Sequence, residues 1–209
     1  MQEYNRKIFE IDIEEAIISF PNLSIKSQGN NKYLKGILDV NGWGYYLIEI
    51  RYKEGYPKRY PSLFEVGGEI PNVPDYHRYS DNSCCLTVDA DEILKCKNGI
   101  TVKSFIDNVV IPFFANQLYK KKKGRFLNEY PHGKDGIKKY YYSILKTTNN
   151  KNILNIYNYA FGVNKIDIQR NQLCFCNSGI KFKNCHLTII EDLKRIGKNQ
   201  VSKDLKLIL

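Results

Sequence analysis

The chain has 209 residues, 43% of them hydrophobic and 13% aromatic. That is enough for one core of about 150 residues with a smaller satellite, and too apolar for disorder. The formal net charge of +10, mostly lysine, favours polyanions, anionic membranes or acidic proteins without specifying any of them. The opening stretch Met1-Gln2-Glu3-Tyr4-Asn5-Arg6-Lys7 has no apolar signal core, and no apolar run approaches a membrane span. The expectation is a soluble, cytoplasmic protein with no membrane partner.

Ile8, Ile11, Ile13, Ala16, Ile17 and Phe20 fall mostly on one helical face, and Pro21 stops that helix. Tyr33 to Val40 and Trp43 to Tyr52 read as strands joined at Asn41-Gly42, a strong hairpin signal. After the proline-rich stretch from Tyr56 to Pro61 comes a short strand, Ser62 to Val66. Residues 67 to 98 read as a long irregular segment, and such stretches in compact domains are usually functional. The clearest helix runs from Thr101 to about Lys121, with Val102, Phe105, Ile106, Val109, Val110, Phe113 and Leu118 inward. Pro112 should kink or divide it, and Lys120 to Lys123 complement the dipole at its end. Further helices are expected at Gly136 to Leu145 and Ile153 to Phe161, around a polar linker at Thr147 to Lys151. The tail from Leu187 to Leu209 is lysine-rich and amphipathic.

Cys174, Cys176, Cys185 and His186 form two ligand-capable pairs around a turn with Ser178 and Gly179. Three thiolates and one imidazole suit a closed tetrahedral zinc site. The competing reading is a surface loop of unligated cysteines; a disulfide is disfavoured in a reducing compartment. The run resembles the SEC-C motif, a small zinc module of the preprotein translocase tail that is appended to many bacterial proteins. Asn177 stands where that motif usually has glycine, and Phe175 where it has proline; neither change removes a ligand. Lys181, Phe182 and Lys183 on the turn offer either a docking surface or part of a purely stabilising staple.

The order helix, hairpin, third strand, long loop, helix frames the segment His77-Arg78-Tyr79-Ser80-Asp81-Asn82-Ser83-Cys84-Cys85-Leu86. With Tyr56-Pro57, Pro61 and Phe64 before it, this segment resembles ubiquitin-conjugating enzymes. Those enzymes carry a Tyr-Pro pair, a His-Pro-Asn element and a catalytic cysteine followed by an aliphatic residue. Glu129-Tyr130-Pro131-His132-Gly133-Lys134-Asp135-Gly136-Ile137 is similar to an aromatic-His-Gly element of their bacterial relatives. Some of those relatives are encoded in anti-phage operons beside a cGAS-type nucleotidyltransferase.

The resemblance implies an α/β (α+β) fold with an antiparallel sheet and flanking helices. It implies a ubiquitin-conjugating-enzyme-like domain over residues 1–145, followed by a linker and short helix (146–168), the zinc module (169–188) and a basic tail (189–209). It implies a transferase in which Cys85 carries an acyl group as a thioester, Cys84 packs inward and His77 holds the loop or moves a proton. The implied partner is a protein, with a neighbouring nucleotidyltransferase as the candidate. Arg78 and Tyr79 stand in place of the family's proline and asparagine, which leaves the asparagine's role unfilled unless Asn82 takes it. Asp89 and Asp91 could orient an incoming lysine, Cys96 reads as structural, and His132 as an anchor for its glycine turn. A non-catalytic adaptor with the same fold is the main alternative, and a nucleic-acid-binding zinc protein the lesser one.

Overall fold

The computed structural model describes residues 2–127, 131, 133–162 and 168–209. They divide into two compact units, one of Met1–Thr87 with Lys95–Glu129, the other of Val88–Leu94 with Tyr130–Leu209. Together they hold a four-stranded antiparallel sheet, several helices and a C-terminal cluster of cysteine and histidine. No helix of the described residues is long and apolar enough to cross a membrane.

In the first unit, α1 (Gln2–Ser19) buries Phe9, Ile13 and Ala16, one stripe at helical spacing. Ile11 is 57% exposed rather than inward, because residues two apart point to different sides of a helix. The helix also starts earlier than Ile8, with Lys7 reaching Glu3 one turn back. The sheet is a meander in the order β1 (Leu23–Gln28), β2 (Asn31–Asp39), β3 (Tyr45–Arg51) and β4 (Ser62–Glu65). Strand β1, absent from the expected elements, pairs with β2 throughout its length. Asn41 and Gly42 both take positive φ, 52° and 76°, in the β2–β3 turn, as its sequence demands. At Gly36 a Cβ would lie 2.1 Å from the Asn22 carbonyl oxygen, so β2 passes there without a side chain.

One sheet face, with Leu34, Leu38, Ile48, Ile50 and Leu63, joins the core with α1 and the long helix. The opposite face carries a polar cluster in which Glu49 accepts from Lys35 and Arg51. Lys35 and then Arg51 hold the Glu49 carboxyl below its usual value, outweighing the opposing effect of burial.

The long helix has three parts: α3 (Val102–Phe105), a π turn (Ile106–Val110) and α4 (Ile111–Lys123). Thr101 caps it, accepting from the Ser104 amide at 3.1 Å. The π turn lies directly before Pro112, where the ring and its missing N–H cannot be fitted to a regular ladder. The inward face survives the change of pitch: Phe105, Ile106, Val110 and Phe114 are all fully buried.

Residues 67 to 98 hold more structure than expected. A short 3-10 turn spans Pro74–Tyr76, and α2 (Asp89–Lys95) packs mainly with the second unit. Glu65, at the end of β4, accepts from the Gly67 amide at 2.7 Å and from Arg78 Nη1 at 3.1 Å. Both side chains of this ion pair are sealed from solvent, at 5% and 0% exposure.

The second unit is helical: α2, α5 (Gly133–Leu145), α6 (Asn150–Phe161), α7 (Phe182–Cys185), α8 (Leu187–Ile196) and α9 (Lys198–Ile208). Helix α5 packs with the C-terminal helices and belongs with them and α2 to the second unit. In the segment 189–209, Ile190, Leu193, Val201 and Leu205 of α8 and α9 enter the core. Within that core Tyr141 donates to Asp204 at 3.0 Å, and Gln200 donates to the same carboxylate at 2.8 Å.

Removing one partner of a sealed ion pair leaves a buried charge uncompensated. Glu65→Ala should therefore destabilise the first unit by about 3 kcal/mol in urea unfolding. The double replacement Glu65→Leu with Arg78→Met should recover most of that loss.

Candidate functional site

The metal-ligating side chains come from two local structures. Cys174 and Cys176 lead into a tight turn in which Asn177 and Gly179 take positive φ, 58° and 74°. Asparagine tolerates that conformation better than most residues, which explains how it replaces a glycine there. The turn is closed by Cys174 N–H to Ile180 O at 2.9 Å and by an isolated bridge between Leu173 and Lys181. The second pair is delivered by helix: α7 ends at Cys185, and His186 precedes the first residue of α8.

The four donor atoms lie within 4.8 Å of one another. His186 Nδ1 is 3.3 Å from Cys174 Sγ and 3.1 Å from Cys185 Sγ, and Cys176 Sγ is 3.5 Å from Cys185 Sγ. Metal–sulfur and metal–nitrogen bonds of about 2.3 and 2.1 Å give tetrahedral edges close to these spacings. The donor set and its convergence on one point fit zinc, and none of the six cysteines forms a disulfide.

Burial raises the Cys174 thiol to about 12. Burial also acts to raise Cys176, but hydrogen bonds from the Ser178 hydroxyl and amide, together with the neighbouring thiols, bring it down to about 7. Burial, and then the charge of Lys146, lowers His186, which favours the neutral imidazole a metal requires. Ser178 Oγ lies 3.2 Å from Cys176 Sγ and 3.5 Å from Cys185 Sγ, a hydroxyl placed to support two thiolates. The sequence places Ser178 on the turn but gives no sign of this role. Phe182, expected on the exposed turn with Lys181 and Lys183, is instead buried in the core at 4% exposure.

The second candidate region is the loop between β4 and α2. Its strand-like limbs dock on the sheet: Cys84 N–H donates to Leu63 O at 2.8 Å, and bridges join Phe64 to Ser83 and Arg78 to Cys84. Asn82 is the exposed tip, with φ of 68° and its amide on Tyr79 O at 3.0 Å. Asp81 braces the tip by accepting from both the amide and the hydroxyl of Ser83. This fixes the orientation of the cysteine pair. Cys84 is buried and its thiol is raised to about 12 by burial, whereas Cys85 is half-buried.

The Cys85 amide donates to the His77 carbonyl at 2.7 Å, which sets the two residues side by side. His77 has a left-handed backbone (φ 56°) at the end of the 3-10 turn, and its ring meets Phe126 edge-on at 5.0 Å. Lys120 pins the same place: its Nζ lies 4.0 Å from the Tyr76 ring and 4.1 Å from the Phe126 ring, and donates to Asp75 O. So the first lysine of the helix-end cluster is a clamp, and Lys121 pairs with Glu69 at 2.9 Å. Only the spatial approach of residues 74–77 and 126 to α4 reveals this.

Asp89 and Asp91 stand in the first turn of α2 in the second unit, where acidic residues complement the helix dipole. Cys96 is fully buried in the first unit's core. Glu129, Tyr130 and His132 of the aromatic-His-Gly element lie outside the described residues.

The SEC-C motif matches residues 170–188, which contain all four converging donors. SEC-C is a zinc-binding module, and this segment carries its ligand set. No curated protein and no solved structure matches the chain.

Purified chain should hold one equivalent of zinc by elemental analysis, and Cys185→Ala should lose it. Ligation expels thiol protons, so affinity falls as pH falls. Because Cys176 begins to bind its proton below about 7, affinity measured by chelator competition should fall more steeply below pH 7 than above it.

Proposed function

We propose that the first unit is an acyl carrier of the ubiquitin-conjugating-enzyme type, with Cys85 as the acceptor thiol and the second unit as its zinc-stiffened companion. The observation that carries this reading is the split environment of the cysteine pair: Cys84 turned into the core, Cys85 half-buried beside His77. The element order supports it as well, with a helix, an antiparallel meander, a structured loop and then the long helix.

On this reading the Cys85 thiolate attacks the carbonyl carbon of a donor thioester, and the donor's sulfur leaves as thiolate. An amine then attacks the Cys85 thioester, loses a proton to solvent or a base, and releases the Cys85 thiolate. Exchange between two thioesters is nearly balanced in free energy, so positioning by His77, Phe126 and Lys120 counts for more than a strong base. The sequence has no nucleotide-binding glycine loop, so an ATP-dependent partner would form the first thioester. By resemblance, the acceptor or partner is a cGAS-type nucleotidyltransferase in an anti-phage system.

One observation favours the adaptor reading. The position before Tyr79 is filled by Arg78, locked in its pair with Glu65, and Tyr79 itself offers no side-chain amide. An adaptor would use the same loop to bind a protein without chemistry.

The two readings part in one experiment. The chain is incubated with the neighbouring nucleotidyltransferase, or with an activating enzyme, ATP and a modifier, and its intact mass is read. Carrier chemistry gives a thiol-cleavable adduct that Cys85→Ser converts to a thiol-resistant ester or abolishes, while Cys84→Ala keeps it. A chain that forms no adduct would leave only the adaptor, and a thiol-cleavable adduct unchanged in Cys85→Ser would take the carrier role from Cys85.

A further inference from the structure

The zinc module does not end at the boundaries of its motif. Phe175, between the first two ligands, replaces the proline usual at that place, and a ring there needs a partner. It has one in α6, outside the matched residues 170–188: Tyr159 stacks on Phe175 with ring centres 4.2 Å apart and planes 13° from parallel. Tyr159 also meets Phe182 edge-on at 5.5 Å. Phe175 in turn leans on the imidazole of His186 at 5.0 Å. The Tyr159 hydroxyl accepts the Ile168 amide at 3.3 Å, tying down the chain just before the motif.

From this geometry we infer that Tyr159 is a positioning residue for the metal: its ring fixes Phe175, and Phe175 fixes the plane of the His186 ligand. Stacking has a directional preference beyond the area it buries, so the imidazole is held aimed at the thiolates before the ion arrives. A ligand that is already aimed loses less freedom on binding metal, which is how supporting side chains raise affinity without touching the ion. The chain thus compensates for its own departure from the motif with a residue eleven positions upstream of it.

The test uses the full chain, with zinc affinity measured against a chromophoric chelator and cobalt absorption as the geometric readout. Tyr159→Ala should weaken zinc about tenfold or more and dim the tetrahedral cobalt bands, the range seen when a ligand's supporting contact is lost. Tyr159→Phe, which keeps the ring and drops only the hydroxyl, should bind within about threefold of the parent. Tyr159→Ala with Phe175→Ala together should be no weaker than either alone, since the two act as one unit. Val201→Ala, a cavity in α9 of the same core, controls for general loosening and should leave affinity unchanged. An unchanged Tyr159→Ala, an equal loss in Val201→Ala, a failure of Tyr159→Phe, or simple additivity with Phe175→Ala would each overturn the assignment. None of these readouts depends on Cys85.

Discussion

The buried pair of Glu65 and Arg78 is the constraint on which the first unit's loop depends. A carboxylate with no exposed surface is tolerable only when its oxygens are fully occupied. Glu65 meets that demand by gathering the amides of Gly67, Glu69 and Ile70 together with a guanidinium. The result is two segments fastened to one strand end: residues 66–70 turn back over it, and residues 78–84 lie alongside β4. Once Arg78 is held there, alternation along the extended limb sends Cys84 into the core and Cys85 toward the surface. The side chain that anchors the loop to β4 is therefore the one that orients the cysteines.

A different device organises the second unit. Its helices are short, and one of them, α7, is a single turn. Such helices have little intrinsic stability, so packing must hold them. Cys174 and Phe182 belong to the same core as Ile190, Leu193 and Val201, which makes the ligand cluster part of the hydrophobic interior rather than an appendage. A metal bound there would tie the turn at 174–179 to the start of α8, adding to the packing of Phe175 on Tyr159 and on His186.

What could be read from the sequence was what depends on neighbours in the chain. Asn41-Gly42, the effect of Pro112 and the four zinc donors are all local patterns, and each has its counterpart in the structure. Strand β1 was not legible because Leu23 to Gln28 offers only two apolar residues, and its identity comes from pairing with β2. Helix α2 was hidden by its length of seven residues and its acidic start. The placement of α5 and of residues 189–209 depends on faces meeting across 63 residues of sequence, as with Tyr141 and Asp204. The same is true of Arg78 with Glu65 and of Lys120 between Tyr76 and Phe126: a charged residue in a loop or at a helix end is indistinguishable, in sequence, from a solvated one.

The loop's construction also bears on which half of the proposed chemistry it suits. Passing an acyl group from one sulfur to another develops negative charge on a carbonyl oxygen only briefly, between two good leaving groups. Passing it to an amine demands more, because the tetrahedral intermediate must be stabilised while a proton is removed. On the proposed reading, ubiquitin-conjugating enzymes use an asparagine amide for that second step. The matching position would be Tyr79, whose amide donates to Ser83 O and whose neighbour Arg78 is locked to Glu65. His77 lies beside Cys85 and is held by Phe126, against which Lys120 packs, and these contacts fix geometry more than they supply charge. A carrier built this way would accept an acyl group readily and depend on its acceptor protein to complete the site for release. Transfer would then be slow to free amines and fast only to a docked partner, which is the behaviour wanted of a carrier that must not discharge at random.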